Sequence, residues 1–496
     1  MKTFFFSALQ FAFVVFIAIS LMQCTRARVP LTKVEVPMVI VPLPELPVPF
    51  PKIPFLFSGE GDYRLLTWRK AFHRLCNQIS REYPFTEWKN IDWKKLEDTY
   101  SEKVAEAQKQ KDVEAFYLAL REFLFSIPDA GVRIETNESL RKKYIGGGYG
   151  FAGILTEDKK YVVFYITPGS SADKAGMKVG AEIAEWNGAP VITALEKVST
   201  LWADNPPATN EGKIWEKSKL LSRAPVGTKI QVTFVNPDTP DLPISTSLIA
   251  EEDNYATLLT PVLNVVNLGM MDSPVQSKII DGKIGYIRIV SFASNVSTPF
   301  PAQAYQKIVT NFIREGVQGV IIDLRGNSGG DSSLAVKFGG HFVEEDVFLQ
   351  QTAIYKKSKK EFILIPGKEE VIKPLPICYR GKVVVLVDYG TAGCAELLAK
   401  ALSIQKRVTV MGFCSTKGSV GLSGGDIQMP RGITLSYPVA RSLDKEGKIQ
   451  VEADADGNGG VAPTHKVPLT SELIRKYAES EGEDFLLSLA VDYLLK

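Results

Sequence analysis

The 496-residue sequence has little histidine, little cysteine and no excess of charge of one sign. Its three histidines argue against a histidine-rich metal centre, and five cysteines are too few for a disulfide scaffold in so long a chain. The 58 Lys and Arg residues are balanced by 56 Asp and Glu residues, which leaves no basic surface for a phosphate backbone. We therefore expect no metal, no cofactor and no nucleic-acid partner.

Long apolar runs are also absent, except at the amino terminus. Residues 4–22 carry no charge and follow Lys2, which predicts an export signal over residues 1–24, with an uncleaved transmembrane anchor as the alternative. The run ends in Leu-Met-Gln-Cys and resembles a bacterial lipoprotein signal, in which Cys24 would be lipidated, although Gln23 stands where that signal has a small residue. We expect export to the periplasm or cell envelope of a bacterium, with membrane association through the amino terminus only.

A proline-rich stretch follows the apolar run. Eight prolines occur between Pro30 and Pro54, a spacing that blocks helix and favours an extended polyproline II conformation. Residues 25–58 are therefore predicted to form a semi-rigid stalk.

The remaining chain reads as three globular segments of a multidomain α+β protein. Residues 60–134 show apolar residues at helical spacing and predict a helical domain. Residues 145–250 consist of short β-rich runs between Gly, Pro and Asn turns. Residues 255–496 alternate strands with helices, as in α/β domains.

The second segment resembles a PDZ domain. Gly148, Tyr149, Gly150 and Phe151 look like the carboxylate-binding loop of such domains, and the stretch from Pro168 to Gly180 resembles the one that follows it. A glycine-rich loop can turn backbone N–H groups toward a peptide carboxylate while the next strand pairs with the peptide. The resemblance implies a PDZ-like β domain that takes protein or peptide C-termini as partners.

The third segment carries two strand-to-helix units, each with a glycine-rich turn after its first strand. Neither turn has the spacing of a phosphate loop or a dinucleotide fingerprint, which argues against a nucleotide site. The predicted strands and helices are 285–292, 302–315, 317–324, 382–387, 396–404 and 408–411.

These turns are similar to those of the carboxyl-terminal processing, or tail-specific, serine peptidases. Residues 323–330 (DLRGNSGG) match the signature of that family, and residues 416–420 (TKGSV) look like the loop that bears its catalytic lysine. The resemblance covers about residues 60–496 and implies a helical segment, a PDZ domain and a crotonase-like α/β domain. In that family a serine attacks the peptide carbonyl and a lysine kept neutral by burial takes its proton, which identifies Lys417 as the candidate base.

The same resemblance assigns the other site positions. Backbone N–H groups of Gly329, Gly330 and Cys394 would hold the developing oxyanion. The family serine lies three residues before a Glu at the start of a helix, and counting back from Glu396 reaches Gly393, which has no side chain.

Two further family side chains are replaced by glycine. A Gln that orients the lysine falls on Gly421, and a His that ends the helical domain in many relatives falls on Gly131. Both replacements weaken the case for catalysis.

Cys394 is the one obvious substitute nucleophile. A thiol at a helix N-terminus beside a lysine can have a lowered pKa. One residue along a helix, however, rotates the side chain by about 100°, so Cys394 should not point where Gly393 does. Packing, or a disulfide with Cys414, are the alternatives.

Three functions remain open on sequence alone. The chain could be an envelope serine-type endopeptidase that captures and cleaves protein C-termini. It could be a catalytically inactive homologue that only binds such tails, or a structural envelope lipoprotein. Family resemblance favours the first, and the chemistry of position 393 favours the second.

Overall fold

The computed structural model describes residues 61–259, 273–295, 297–480 and 484–496. The predicted signal (1–24), the stalk (25–58) and Cys24 lie outside these ranges. Within them, no helix is both long enough and apolar enough to cross a membrane.

Amphipathic helices dominate the first segment, as its apolar spacing implies. Asp92 and Asp112 cap two of them, each side chain accepting a hydrogen bond from the backbone N–H three residues on. The elements are β1 (Gly61–Asp62), α1 (Trp68–Glu82), α2 (Trp93–Gln110), α3 (Val113–Phe125) and β2 (Arg133–Ile134).

Short strands and turns make up the second segment. Its larger sheet has the order β10-β9-β6-β5-β4 with β7 on β6, and a smaller one has the order β11-β3-β8. The elements are α4 (Glu138–Ile145), β3 (Gly147–Gly148), β4 (Phe151–Leu155), β5 (Tyr161–Ile166), α5 (Ser171–Lys174), β6 (Glu182–Trp186), β7 (Ala189–Pro190), α6 (Val191–Lys197), α7 (Asn210–Leu221), β8 (Arg223–Ala224), β9 (Lys229–Val235), β10 (Ile244–Ile249), β11 (Glu251–Glu252) and α8 (Ala256–Leu259).

The third segment is a mixed α/β unit. Its main sheet has the order β12-β13-β14-β18-β19-β24, in which only the β12–β13 pair is antiparallel. The elements are β12 (Val275–Ile280), β13 (Ile284–Ile289), α9 (Pro301–Arg314), β14 (Gly319–Asp323), α10 (Ser332–Gly339), β15 (Val347–Lys356), β16 (Glu361–Leu364), β17 (Glu370–Ile372), β18 (Lys382–Leu386), α11 (Cys394–Ser403), β19 (Val408–Gly412), β20 (Leu422–Ser423), β21 (Ile427–Gln428), a 3₁₀ turn (Pro430–Gly432), β22 (Thr434–Ser436), β23 (Pro438–Leu443), β24 (His465–Lys466), α12 (Ser471–Glu479) and α13 (Phe485–Leu495).

Parallel pairing in this sheet decides where a site can form. Strands β14, β18 and β19 are neighbours and run the same way, so their carboxyl ends meet at one edge. The loops that follow them are residues 324–331, 387–393 and 413–421. Ligand sites of open α/β sheets form at such an edge.

The three sequence segments share cores. The core of the helical segment contains Ile427, Met429, Leu435 and Tyr437 from the third segment. A further core joins β4 and β5 to β14 and β18. The predicted boundaries near residues 134–145 and 250–255 therefore do not separate independent hydrophobic cores.

A fully buried ion pair ties the first segment to the third. Lys89 Nζ lies 2.9 Å from Glu452 Oε1, and both side chains are inaccessible to solvent. Lys89 also donates to the Ala453 carbonyl at 2.7 Å, and Glu452 Oε2 accepts from the N–H groups of Val420 and Gly421 at 3.0 and 3.2 Å. The pair thus fixes one side of the loop that follows β19.

We expect Lys89→Met to lower the free energy of unfolding by about 3–5 kcal/mol, because it leaves the Glu452 carboxylate buried without its partner. Urea denaturation measures the change. The matched control is Lys94→Met, whose i,i+4 pair with Asp98 is exposed and should be worth no more than about 0.5 kcal/mol. Equal effects of the two substitutions would contradict the role given to the buried pair.

Candidate functional site

Gly393 forms a sharp turn between β18 and α11. Its φ is +61° and its ψ is −131°, a conformation that glycine adopts freely and that strains any residue with a side chain. Its N–H donates to the Ser419 carbonyl at 3.1 Å. A strained strand-to-helix turn of this kind is how many hydrolases expose a nucleophilic side chain.

Space for a side chain remains at this turn. A Cβ built on Gly393 would meet Gly329 Cα at 3.6 Å and the Ser328 carbonyl oxygen at 3.7 Å, which are ordinary van der Waals separations. The turn therefore keeps the geometry and the room of a nucleophile position without the nucleophile.

The other two glycines of interest, Gly421 and Gly131, have lost that room. A Cβ on Gly421 would lie 2.8 Å from Phe85 Cε2 and 2.9 Å from Pro438 Cβ. A Cβ on Gly131 would lie 2.7 Å from Pro438 Cγ. Pro438 closes both positions.

The Glu396 carboxylate is completely buried and joins the Gly393 turn to the loop after β19. One oxygen accepts from the Thr416 hydroxyl at 2.6 Å and the Gly418 N–H at 2.7 Å, and the other accepts from the N–H groups of Gly393 at 2.9 Å and Ser419 at 3.2 Å. Burial raises the pKa of Glu396 to about 7, against the lowering effect of these hydrogen bonds. Glu396 thus fixes the backbone on both sides of Lys417.

Lys417 is half-buried on that loop, and its N–H donates to the Thr391 carbonyl at 3.0 Å. Its ammonium lies over the ring of Tyr389, 5.5 Å from the centroid. Across the described ranges, no carboxylate is within ion-pair distance of Lys417 Nζ. The structure thus brings Gly393, Glu396 and Lys417 into one group of loops.

Cys394 points away from this group. Its side chain is buried in the main core of the third segment, and burial raises its pKa far above the ordinary value, with Glu370 and Asp331 adding to the effect. No hydrogen bond joins its thiol to Lys417, and the four cysteines of the described chain are all free, so the alternative of a Cys394–Cys414 disulfide is not realised. The one-residue rotation around the helix start explains this placement.

Two of the three predicted oxyanion donors are available. The Gly329 N–H already donates to Asn327 Oδ1 at 2.9 Å. For the N–H groups of Gly330 and Cys394, no oxygen of the described residues serves as acceptor. Both belong to segments that flank Gly393.

The predicted peptide loop is partly engaged inside the protein. Gly148 pairs with Arg223 in the small sheet, and the Tyr149 N–H donates to the Ser222 carbonyl at 3.3 Å. The side chains of Tyr149 and Phe151 are buried against Trp186. These aromatic side chains contribute packing, and only backbone groups of the loop are left for a peptide.

Gly150 turns the chain into β4, with a φ of +88°. A side chain there would overlap Ser170. Strand β4 ends its sheet, and α7 packs along it, with the Leu155 N–H donating to Ser218 Oγ at 3.2 Å. Part of the edge that a peptide would use is therefore already occupied by α7.

Helix α7 also reaches the Lys417 loop. Glu211 Oε2 accepts from the Ser415 N–H at 2.7 Å, and Asn210 Nδ2 donates to the Asp456 carbonyl at 2.7 Å. The helix of 12 residues thus links the edge of β4 to the candidate site.

Several residues of the site carried no recognisable sequence signal. Tyr389 lies in a turn noted only for its glycines, and Lys89 and Glu452 come from opposite ends of the globular chain. A buried Lys–Glu pair between distant segments has no local pattern, so pairwise covariation in related sequences is the signal that could have found it.

Comparison with known proteins gives a consistent picture. Residues 283–467 match the sequence profile of Peptidase family S41, and residues 66–118 match the Tricorn protease C1 domain. The chain is 28% identical to carboxy-terminal processing protease CtpA of Bacillus subtilis over 61% of its own length and 54% of the relative's. It is 25% identical to the chloroplastic C-terminal processing peptidase of Tetradesmus obliquus over 78% and 76%, respectively.

Among solved structures, mature CPAF has a similar fold. The TM-score is 0.62 at 17% identity, covering 84% of this chain and 95% of that one. The mixed α/β multidomain fold is therefore one that a known protein shares. The chain spans only about half the length of the Bacillus relative.

We expect a double-mutant cycle between Gly131→Ala and Pro438→Ala to show a favourable coupling of about 0.5–3 kcal/mol, because removing Pro438 Cγ makes room for the new Cβ. Urea denaturation of the four variants measures it. The control cycle pairs Gly393→Ala with Pro438→Ala and should be additive within about 0.5 kcal/mol. Coupling of equal size in both cycles would rule out a specific contact.

The raised pKa of Glu396 also predicts a pH dependence. Because its pKa is about 7 in the folded protein and 4.5 ordinarily, its stabilising contribution is fully present below pH 4.5 and is lost as the pH rises through 7. The unfolding free energy of the native chain minus that of Glu396→Gln should therefore fall between pH 5 and pH 8, by up to about 1.4 kcal/mol per pH unit. A difference that stays constant or rises would contradict this assignment.

Proposed function

Because this chain carries a peptidase family S41 domain and is homologous to carboxy-terminal processing proteases, we propose that it captures the carboxyl-terminal tails of other proteins on a peptidase scaffold without hydrolysing them. The observation that carries the proposal is Gly393, a strand-to-helix turn with the shape of a nucleophile position and no side chain.

Hydroxyl groups near the turn do not replace the missing one. The hydroxyl of Thr391 donates to the Leu324 carbonyl at 2.9 Å, and that of Thr416 donates to Glu396. Ser419 Oγ faces buried Asp129 at 3.4 Å. A hydroxyl committed to an internal acceptor is poorly placed to attack a substrate, because a nucleophile needs its proton taken by a base.

Tail capture is supported by what the site retains. The free N–H groups of Gly330 and Cys394, the start of α11 and the ammonium of Lys417 all favour negative charge. In the second segment, which we assign as PDZ-like, the loop of residues 148–151 leads into β4 at the end of its sheet. Such an edge can pair with an extended peptide.

We assign residues 60–134 as the helical domain, 145–250 as the PDZ-like domain and 255–496 as the crotonase-like peptidase domain. We further place the protein in a bacterial envelope, on the strength of the charge-free run of residues 4–22 and Cys24. Both assignments agree with the names of the bacterial relatives as carboxy-terminal processing proteases.

The full-length chain in mild detergent, incubated with an unfolded reporter that ends in apolar residues, should show no cleavage above the blank. Cleavage abolished by Lys417→Ala, Cys394→Ala or Ser328→Ala would establish a peptidase and overturn the proposal. Gly393→Ser provides the positive arm, because cleavage by this variant alone would locate the defect at the missing side chain.

Binding is measured in the same preparation by fluorescence anisotropy of a labelled C-terminal peptide. Amidation of the peptide carboxylate should weaken binding by about tenfold or more, since hydrogen bonds to a charged group are lost. Gly150→Ala should weaken it as well. Gly169→Ala, also at positive φ but with no atom near its Cβ, is the matched control. Equal affinity for both peptides would refute carboxylate capture.

A further inference from the structure

Tyr389 is the one aromatic ring in contact with the Lys417 ammonium in the described chain. The ring is 5% exposed, and burial raises the pKa of its hydroxyl well above the ordinary value, so it stays neutral. With the ammonium 5.5 Å from the centroid, the contact lies within the range of a cation–π interaction.

Tyr389 is itself fixed by α7. Gly212 lies so close that a Cβ there would overlap the ring, and Trp215 packs against it with centroids 6.3 Å apart. Because α7 is also anchored to the loop after β19 through Glu211, the ring and Lys417 are held by the same helix.

No side chain at position 421 can orient the lysine. Gly421 provides none, and the space around its Cα is filled by Phe85 and Pro438. The backbone of Lys417 is fixed by its bond to Thr391, but its four-carbon side chain has rotamer freedom that something else must restrict.

We propose that Tyr389 is the positioning residue of Lys417: the ring face holds the ammonium beside the turn that carries Gly393 and keeps it charged. The inference rests on the proposed function only in taking Lys417 as the cation of the site. A lysine held in this way favours binding of a carboxylate over removal of a proton, because the ring stabilises the ammonium form.

The test is the rate at which sulfo-NHS-acetate, which reacts with the free amine, acetylates Lys417 in the full-length chain, followed by peptide mass spectrometry. Tyr389→Leu should speed the reaction by about two- to fivefold, the factor expected for loss of a cation–π contact at a partly exposed site. Tyr389→Phe keeps the ring and should react at the native rate. Lys382, on an exposed position, is the internal reference.

A second readout reports the contact directly. The ε-methylene resonance of Lys417, identified by its loss in Lys417→Arg, should be shifted upfield by the ring in the native chain and in Tyr389→Phe, and should lose that shift in Tyr389→Leu. Gly212→Ala, which displaces the ring and keeps its chemistry, should act as Tyr389→Leu does and replaces it if that variant fails to fold.

Unchanged rate and resonance in both Tyr389→Leu and Gly212→Ala would overturn the proposal, as would a Tyr389→Phe variant that behaves like Tyr389→Leu, because the hydroxyl would then be the active group. Neither readout needs a peptide. Failure of tail binding therefore leaves this inference standing, and its own failure leaves tail binding untouched.

Discussion

The site depends on one buried carboxylate. Glu396 accepts four hydrogen bonds that reach the Gly393 turn on one side and Thr416, Gly418 and Ser419 on the other. A carboxylate this deeply buried is tolerated only because each oxygen has donors that no other group nearby supplies. The same donors hold the two loops at a fixed separation, so the backbone around Lys417 is set before any side chain of the site is considered.

Glu452 repeats the device one step further along the chain. It accepts from Val420 and Gly421, and it is neutralised by Lys89 of the helical segment. The loop of residues 416–421 is thus held from both sides by buried charge. Its rigidity is a property of the whole chain, because it requires the first and third segments to be folded together.

Sequence patterns predicted the local elements better than the way they come together. Apolar runs ending in glycine-rich turns located β14 and β18 to within two residues, and the rotation per residue correctly turned Cys394 away from Gly393. The shared cores and the Lys89–Glu452 pair were missed, since they join residues hundreds of positions apart. Tyr389 was missed because an aromatic residue in a turn has the same pattern whether it packs or binds a cation.

Pro438 has a consequence for how the glycines should be counted. Its ring fills the space beside both Gly131 and Gly421, so the two positions are closed by a single packing event at the start of β23. Gly393, with open space around it, is a separate matter. Three absent side chains are therefore only two independent facts, and an estimate of divergence that treats them as three overstates how far this chain has moved from a working peptidase.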